Sequence, residues 1–187
     1  MTETPKYDVI KRAKRVELRR YPAHIKAEAE VSGLTYQKAI YQGFSILAGY
    51  IFGDNVAAEK IAMTSPVQVS NPQKIAMTKP VTVSGDGTYS VAFIMPGKYT
   101  LESLPKPKDP RITITKIDSQ VMAALRFSGY FSENKVRKAK QKLQDWIVRD
   151  GLAAEGDFIV ARYNPPWVPW FLARNEVMIR IKSGPGQ

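Results

Sequence analysis

The order of hydrophobic periods constrains this chain most. Residues 35–52 place Tyr36, Ile40, Phe44, Leu47 and Ile51 at spacings of four, four, three and four, the stripe of an α-helix. Residues 132–150 repeat the pattern with Val136, Ala139, Leu143, Trp146 and Ile147. Ser32 or Thr35 can cap the first helix and Gly53 can end it, while Ser132 and Gly151 serve the second. Around each helix the period drops to two. Apolar residues alternate with charged ones through Val9, Val16 and Leu18, then through Ile25, Ala27, Ala29 and Val31. The break between these strands falls at Tyr21-Pro22, because proline supplies no ladder donor. Further strands are expected at 89–95, 111–117, 121–127, 157–163 and 176–181. A strand–strand–helix–strand–strand unit used twice predicts an α+β fold with internal pseudo-twofold symmetry, two helices packed on an antiparallel sheet or open barrel. At 187 residues the chain suits one domain over 1–187, with a core at 7–182 and halves at about 7–98 and 111–182.

Between the halves lies Leu104-Pro105-Lys106-Pro107-Lys108-Asp109-Pro110, whose prolines remove donors and fix φ, which predicts a connector. A second local signal is a near-duplication. Lys60-Ile61-Ala62-Met63-Thr64-Ser65-Pro66-Val67-Gln68-Val69-Ser70 returns fourteen residues later as Lys74-Ile75-Ala76-Met77-Thr78-Lys79-Pro80-Val81-Thr82-Val83-Ser84, with nine of eleven positions identical. That period is too short for a solenoid unit and fits two strands joined through Asn71-Pro72-Gln73. Met63 and Met77 then hold equivalent places.

Several chemistries are excluded. There is no cysteine, hence no disulfide, zinc ribbon, iron–sulfur cluster or thiol nucleophile, and the single histidine, His24, rules out a His-pair metal site. Its strand parity sets His24 among charged neighbours, facing solvent. No phosphate-cradling glycine loop, nucleophile elbow or His-Glu-x-x-His motif occurs. The expected reading is a binder rather than an enzyme, with no catalytic residue and no metal assigned. Lys and Arg exceed Asp and Glu by 28 to 17, a formal net charge of +11, which favours anionic partners. The second helix carries Lys135, Arg137, Lys138, Lys140 and Lys142 on its outer side without interleaved aromatics, so a solvated face is expected and no specific nucleic-acid contact. Without an apolar leader or an apolar run of membrane-spanning length, a cytoplasmic protein is expected.

Two features can still meet a ligand. Glu176, between an aromatic–proline loop and the last strand, acts as proton acceptor or counter-ion if it points into a cleft, where burial raises its pKa. Paired with a tyrosine such as Tyr163, it could serve as acid and base; pointing outward, it is an ordinary strand-end charge. The loop Tyr163-Asn164-Pro165-Pro166-Trp167-Val168-Pro169-Trp170-Phe171 presents flat apolar surface on a stiff backbone, suited to a lid or to capping one end of the fold.

Five separated motifs resemble one family. Tyr50-Ile51-Phe52-Gly53-Asp54-Asn55, Lys60-Ile61-Ala62-Met63-Thr64 with Pro66-Val67, Tyr99-Thr100-Leu101-Glu102-Ser103-Leu104-Pro105-Lys106-Pro107, Phe127-Ser128-Gly129 and Arg174-Asn175-Glu176-Val177 are similar to those of SOUL haem-binding proteins, over about 7–182. The doubled Lys-Ile-Ala-Met-Thr segment resembles bacterial members. The resemblance implies a distorted antiparallel β-barrel flanked by two helices, like gyrase-inhibitor-like effector-binding domains. It also implies a small-molecule tetrapyrrole or other apolar ligand, haem above all, in a hydrophobic cleft beside the first helix, without a shared axial histidine. On this chain the ring would lie along Tyr41, Phe44 and Ala48, with Met63 and Met77 as further walls. The fold resemblance implies an alternative: an apolar organic cation with Glu176 as buried counter-ion.

Overall fold

The computed structural model describes residues 4–70, 88–129, 132–163 and 173–182. In chain order the elements are β1 (Asp8–Ala13), β2 (Val16–Tyr21), β3 (His24–Val31), α1 (Tyr36–Ile51), β4 (Val67–Ser70), β5 (Tyr89–Ile94), β6 (Ile112–Ile117), β7 (Gln120–Phe127), α2 (Glu133–Arg149), β8 (Ala154–Arg162) and β9 (Asn175–Ile181). All nine strands form one antiparallel sheet in the order β1-β2-β7-β9-β8-β4-β5-β3-β6. The half β2-β7-β9-β8 becomes the half β6-β3-β5-β4 when read from the other end, so the expected pseudo-twofold axis passes between β8 and β4. The sheet ends at β1 and β6; it is open rather than a closed barrel. The second copy of the duplicated segment, with Met77, lies outside the described residues.

Both helices lie on one face. Val91, Val69, Val160 and Val177 stand in one cross-strand row. Val91 packs with Leu47 and Tyr50 of α1, and Val160 and Val177 with Leu143, Trp146 and Ile147 of α2. Period two therefore sends Ser90, Ala161, Glu176 and Met178 to the helix-free face.

The stripe expected for α2 is the buried one, Val136, Ala139, Leu143, Trp146 and Ile147, and Ser132 Oγ accepts a hydrogen bond from Lys135 N at 3.4 Å. Lys140 departs from the solvated face: it is half-buried, its Nζ is 5.7 Å from the Phe158 ring centre, and burial lowers its pKa although Asp157 opposes this. On α1 the buried residues are Ala39, Gly43, Leu47, Tyr50 and Ile51, a stripe rotated from the one expected. Small residues cause the rotation. A Cβ at Gly43 would sit 2.5 Å from Val91 Cγ2, so α1 descends onto β5 through Ala39 and Gly43, while Tyr36, Ile40 and Phe44 flank the seam.

The connector does more than join halves. Leu104 is buried, Tyr50 Oη donates to Pro105 O at 2.8 Å, and Val56 N donates to Lys106 O at 2.9 Å. Asn55, fully buried, donates through Nδ2 to Tyr50 O and Glu59 O and accepts from Glu59 N, closing the turn after α1. Thr64 Oγ1 donates to Ile94 O and Ser65 Oγ to Tyr163 O at 2.9 Å, lacing the segment before β4 to both halves.

Candidate ligand-binding site

A helix on a sheet normally turns charge to water. α1 has a single charged residue, Lys38. Its solvent side carries Tyr41, 74% exposed, then Ser45, Ala48 and Gly49, and at the C-cap Phe52, 61% exposed. At 100° per residue Tyr41, Ala48 and Phe52 fall within about 40° of one another. Val56 in the following turn is also exposed. Between the aromatic ends the surface is low: nothing lies within 4 Å of a Cβ built on Gly49. Large apolar groups spaced by small ones make a shelf of exposed apolar surface along the helix.

Phe44 forms the flank of this shelf. It is half-buried and meets Phe93 edge-on, with ring centres 5.4 Å apart. Met63, also half-buried, packs against the same core beneath α1. The structure thus brings Tyr41, Phe44 and Ala48 onto α1 and Met63 into the core it covers. Met77 and the aromatic loop from Asn164 to Phe171 lie outside the described residues. Phe52 was not among the expected residues, although its spacing of eleven from Tyr41, three helical turns, carries the signal.

Glu176 is elsewhere. It is fully buried on the helix-free face of β9, in the half that α2 covers. Oε2 accepts from Arg19 Nη1 at 2.6 Å and Tyr163 Oη at 2.8 Å. Oε1 accepts from Arg19 Nη2 at 2.9 Å and from Arg174 Nε and Nη2 at 3.1 and 2.9 Å. A carboxylate has about four lone-pair sites, so none is left for a ligand. Burial pushes this carboxyl up, but the hydrogen bonds and charge of Arg19, with the charge of Arg174, hold it below its usual value. The sequence-based expectation of a raised pKa is therefore reversed, and a counter-ion role would require a cation to displace a guanidinium. Tyr163 does lie beside Glu176, and burial, with the neighbouring carboxylate, pushes its hydroxyl well above the tyrosine range, which keeps it a donor. Tyr7 and Tyr163 stack on Arg19 and Arg174, at 4.3 and 4.0 Å from ring centre to guanidinium carbon.

His24 is half-buried rather than fully solvent-facing. Its ring Nδ1 is 3.0 Å from Pro22 O, and the side chain lines a cavity of about 300 Å³ with Tyr21 and Met95. It stands at the start of β3 and has no place on the outer side of α1.

The sequence pattern of the family described as SOUL heme-binding protein matches residues 2–180. Heme-binding protein 1 of Xenopus laevis is 27% identical over 161 residues, 86% of this chain and 80% of the relative. Heme-binding protein 2 of Homo sapiens is 25% identical over 170 residues, 90% of this chain and 79% of the relative. Among solved structures, the EcmrR C-terminal domain superposes with a TM-score of 0.67 at 12% identity, covering 95% of this chain and 99% of that one, a likeness of fold alone. Among the described residues no helix is long and apolar enough to cross a membrane.

Proposed function

The chain belongs to the SOUL heme-binding protein family, and from that premise we propose that it binds haem or a related tetrapyrrole, without transforming it, on the outer side of α1. The observation that carries this reading is the shelf of Tyr41, Ala48 and Phe52 on a helix with one charge. A porphyrin is a flat apolar disc with carboxylates on one edge. The shelf matches the disc, with the backbone at Gly49 allowing close approach, and Lys38 on the same side of the helix suits a propionate. Phe44 and Met63, fixed against Phe93 and the core below, would hold the flank rigid. Rigidity limits the entropy lost on binding. Bound haem would supply its iron to whatever it meets, and the protein's part is to bury one ring face and orient the propionates.

A carrier, buffer or sensor role follows from reversible binding of this kind. Nearly half the ring remains open to a partner or second ligand in such a seat. The test is a haemin titration followed by its absorbance, comparing Tyr41→Ala with His24→Ala. Tyr41 is exposed, so its truncation leaves the fold intact. Weaker binding in Tyr41→Ala with unchanged binding in His24→Ala supports the seat on α1; the reverse order would move the ligand to His24.

A further inference from the structure

At the other end of the sheet two grooves meet. One, of about 650 Å³, runs along α2 and the adjoining ends of β2 and β7. Its floor is apolar, formed by Val16, Leu125 and Trp146, and its rim holds Lys138 and Lys142; among the described residues no carboxylate lines it. The second, of about 670 Å³, is polar and reaches Arg19 and Glu176 on the helix-free face. Both volumes lie in the range of small-molecule sites. Lys14, Arg15 and Arg126 line both.

Charge pairing separates those three from the other cations of the polar groove, Arg12, Arg19 and Arg174. Of the carboxylates in the polar groove, Glu17 pairs with Arg12 and Arg19, and Glu176 with Arg19 and Arg174. Among the described residues no carboxylate pairs with Lys14, Arg15 or Arg126. Lys14 also holds a left-handed backbone, φ 55°, in the two-residue turn closed by the Ala13–Val16 pair, where glycine is usual. A non-glycine residue kept there, its cation at the junction of an apolar and a polar groove, points to a ligand that is both.

We propose that this corner binds a single anionic amphiphile, its carboxylate or phosphate head on Lys14, Arg15 and Arg126 and its acyl tail along the apolar floor against Trp146. This site is separate from the shelf on α1 and does not depend on the tetrapyrrole reading. Nucleic acid is the rival for so many cations, but a duplex backbone has no use for an apolar floor recessed behind a charged rim. Head and tail together explain both halves of the site.

The experiment is calorimetric titration with dodecyl phosphate below its micelle concentration, with inorganic phosphate, dodecanol and a short DNA duplex run alongside. One-site saturation by dodecyl phosphate is expected, at least about tenfold tighter than by phosphate or dodecanol. Loss of two charge-assisted contacts in Lys14→Gly/Arg126→Gln should weaken it roughly tenfold to a hundredfold. Lys14→Gly alone, which relieves the turn and so keeps the fold, should weaken it in the same direction by less. Ala48→Glu on α1 should leave it unchanged. Affinities within twofold of wild type in Lys14→Gly and the double variant would overturn the proposal. So would phosphate binding as tightly as dodecyl phosphate, or binding of the duplex without the amphiphile.

Discussion

Arg19 on β2 and Glu176 on β9 reach each other across the intervening strand β7 as a buried two-pronged pair, Nη1 to Oε2 at 2.6 Å and Nη2 to Oε1 at 2.9 Å. Glu176→Gln takes the carboxylate from Arg19, Arg174 and Tyr163 together and leaves buried Arg19 with Glu17 alone. Glu176→Gln should lower unfolding free energy by about 3 kcal/mol, whereas replacing both residues with apolar ones of similar volume should cost much less. Denaturant unfolding of the three proteins measures the difference. A single variant as stable as wild type would mean that the pair is solvated.

The same cluster sets the acid limit of stability. The folded Glu176 carboxyl titrates below its usual value of 4.5, so its contribution is complete above that pH and drains away as pH falls through the folded value. Denaturation midpoints should drop steeply on acidification from about pH 5, and Glu176→Gln should flatten that limb. At the alkaline end burial raises the Tyr163, Tyr36 and Tyr21 hydroxyls above 10.0 and lifts Tyr50 to about 12. Their contribution is complete below pH 10 and is lost as pH rises toward those folded values, which a midpoint series into alkali checks.

Gly43 faces Val91 at a distance that leaves no room for a methyl group. In an exposed helix Gly→Ala gains close to 1 kcal/mol. Here overpacking opposes that gain, and Gly43→Ala should destabilise by about 1–2 kcal/mol net. Thermal unfolding gives the sign, and Gly43→Ala/Val91→Ala should recover part of the loss if the contact is the cause.

Asn55 satisfies three backbone groups around the end of α1. Asn55→Ala removes all three bonds at a buried side-chain position and should cost about 2 kcal/mol. Hydrogen exchange should quicken first at the last turn of α1, under Phe52. Uniform exchange along the chain would contradict a local role.

The halves of this fold were legible because hydrophobic period is a local property. α2 presents the stripe its sequence predicts, since four of its five core positions are large and its charges, Lys140 apart, lie off that stripe. α1 was harder: Ala39 and Gly43 are buried because they are small, and a search for bulky residues looks past them. β1 escaped separation from β2 because its register shifts between Val9 and Lys11 and it is almost wholly exposed, so no alternation survives. The partners of Glu176 were not legible at all. Arg19 lies 157 residues away in sequence, and only the strand order brings the two together. Tyr41, Phe44 and Ala48 were legible as a line on α1, while Phe52 hid at the helix end.

In the proposed seat a planar ligand lies on the outer side of α1. Ala48 lies mid-shelf, and a glutamate there puts a flexible negative charge under the ring and near its propionates without touching the core. Haemin titration of wild type and Ala48→Glu, followed at the Soret band with circular dichroism as the check on folding, is the direct measurement. One-to-one saturation is expected for wild type, with binding weakened at least about tenfold, or 1.4 kcal/mol, in the variant. Equal affinities for two equally folded proteins would contradict that seat.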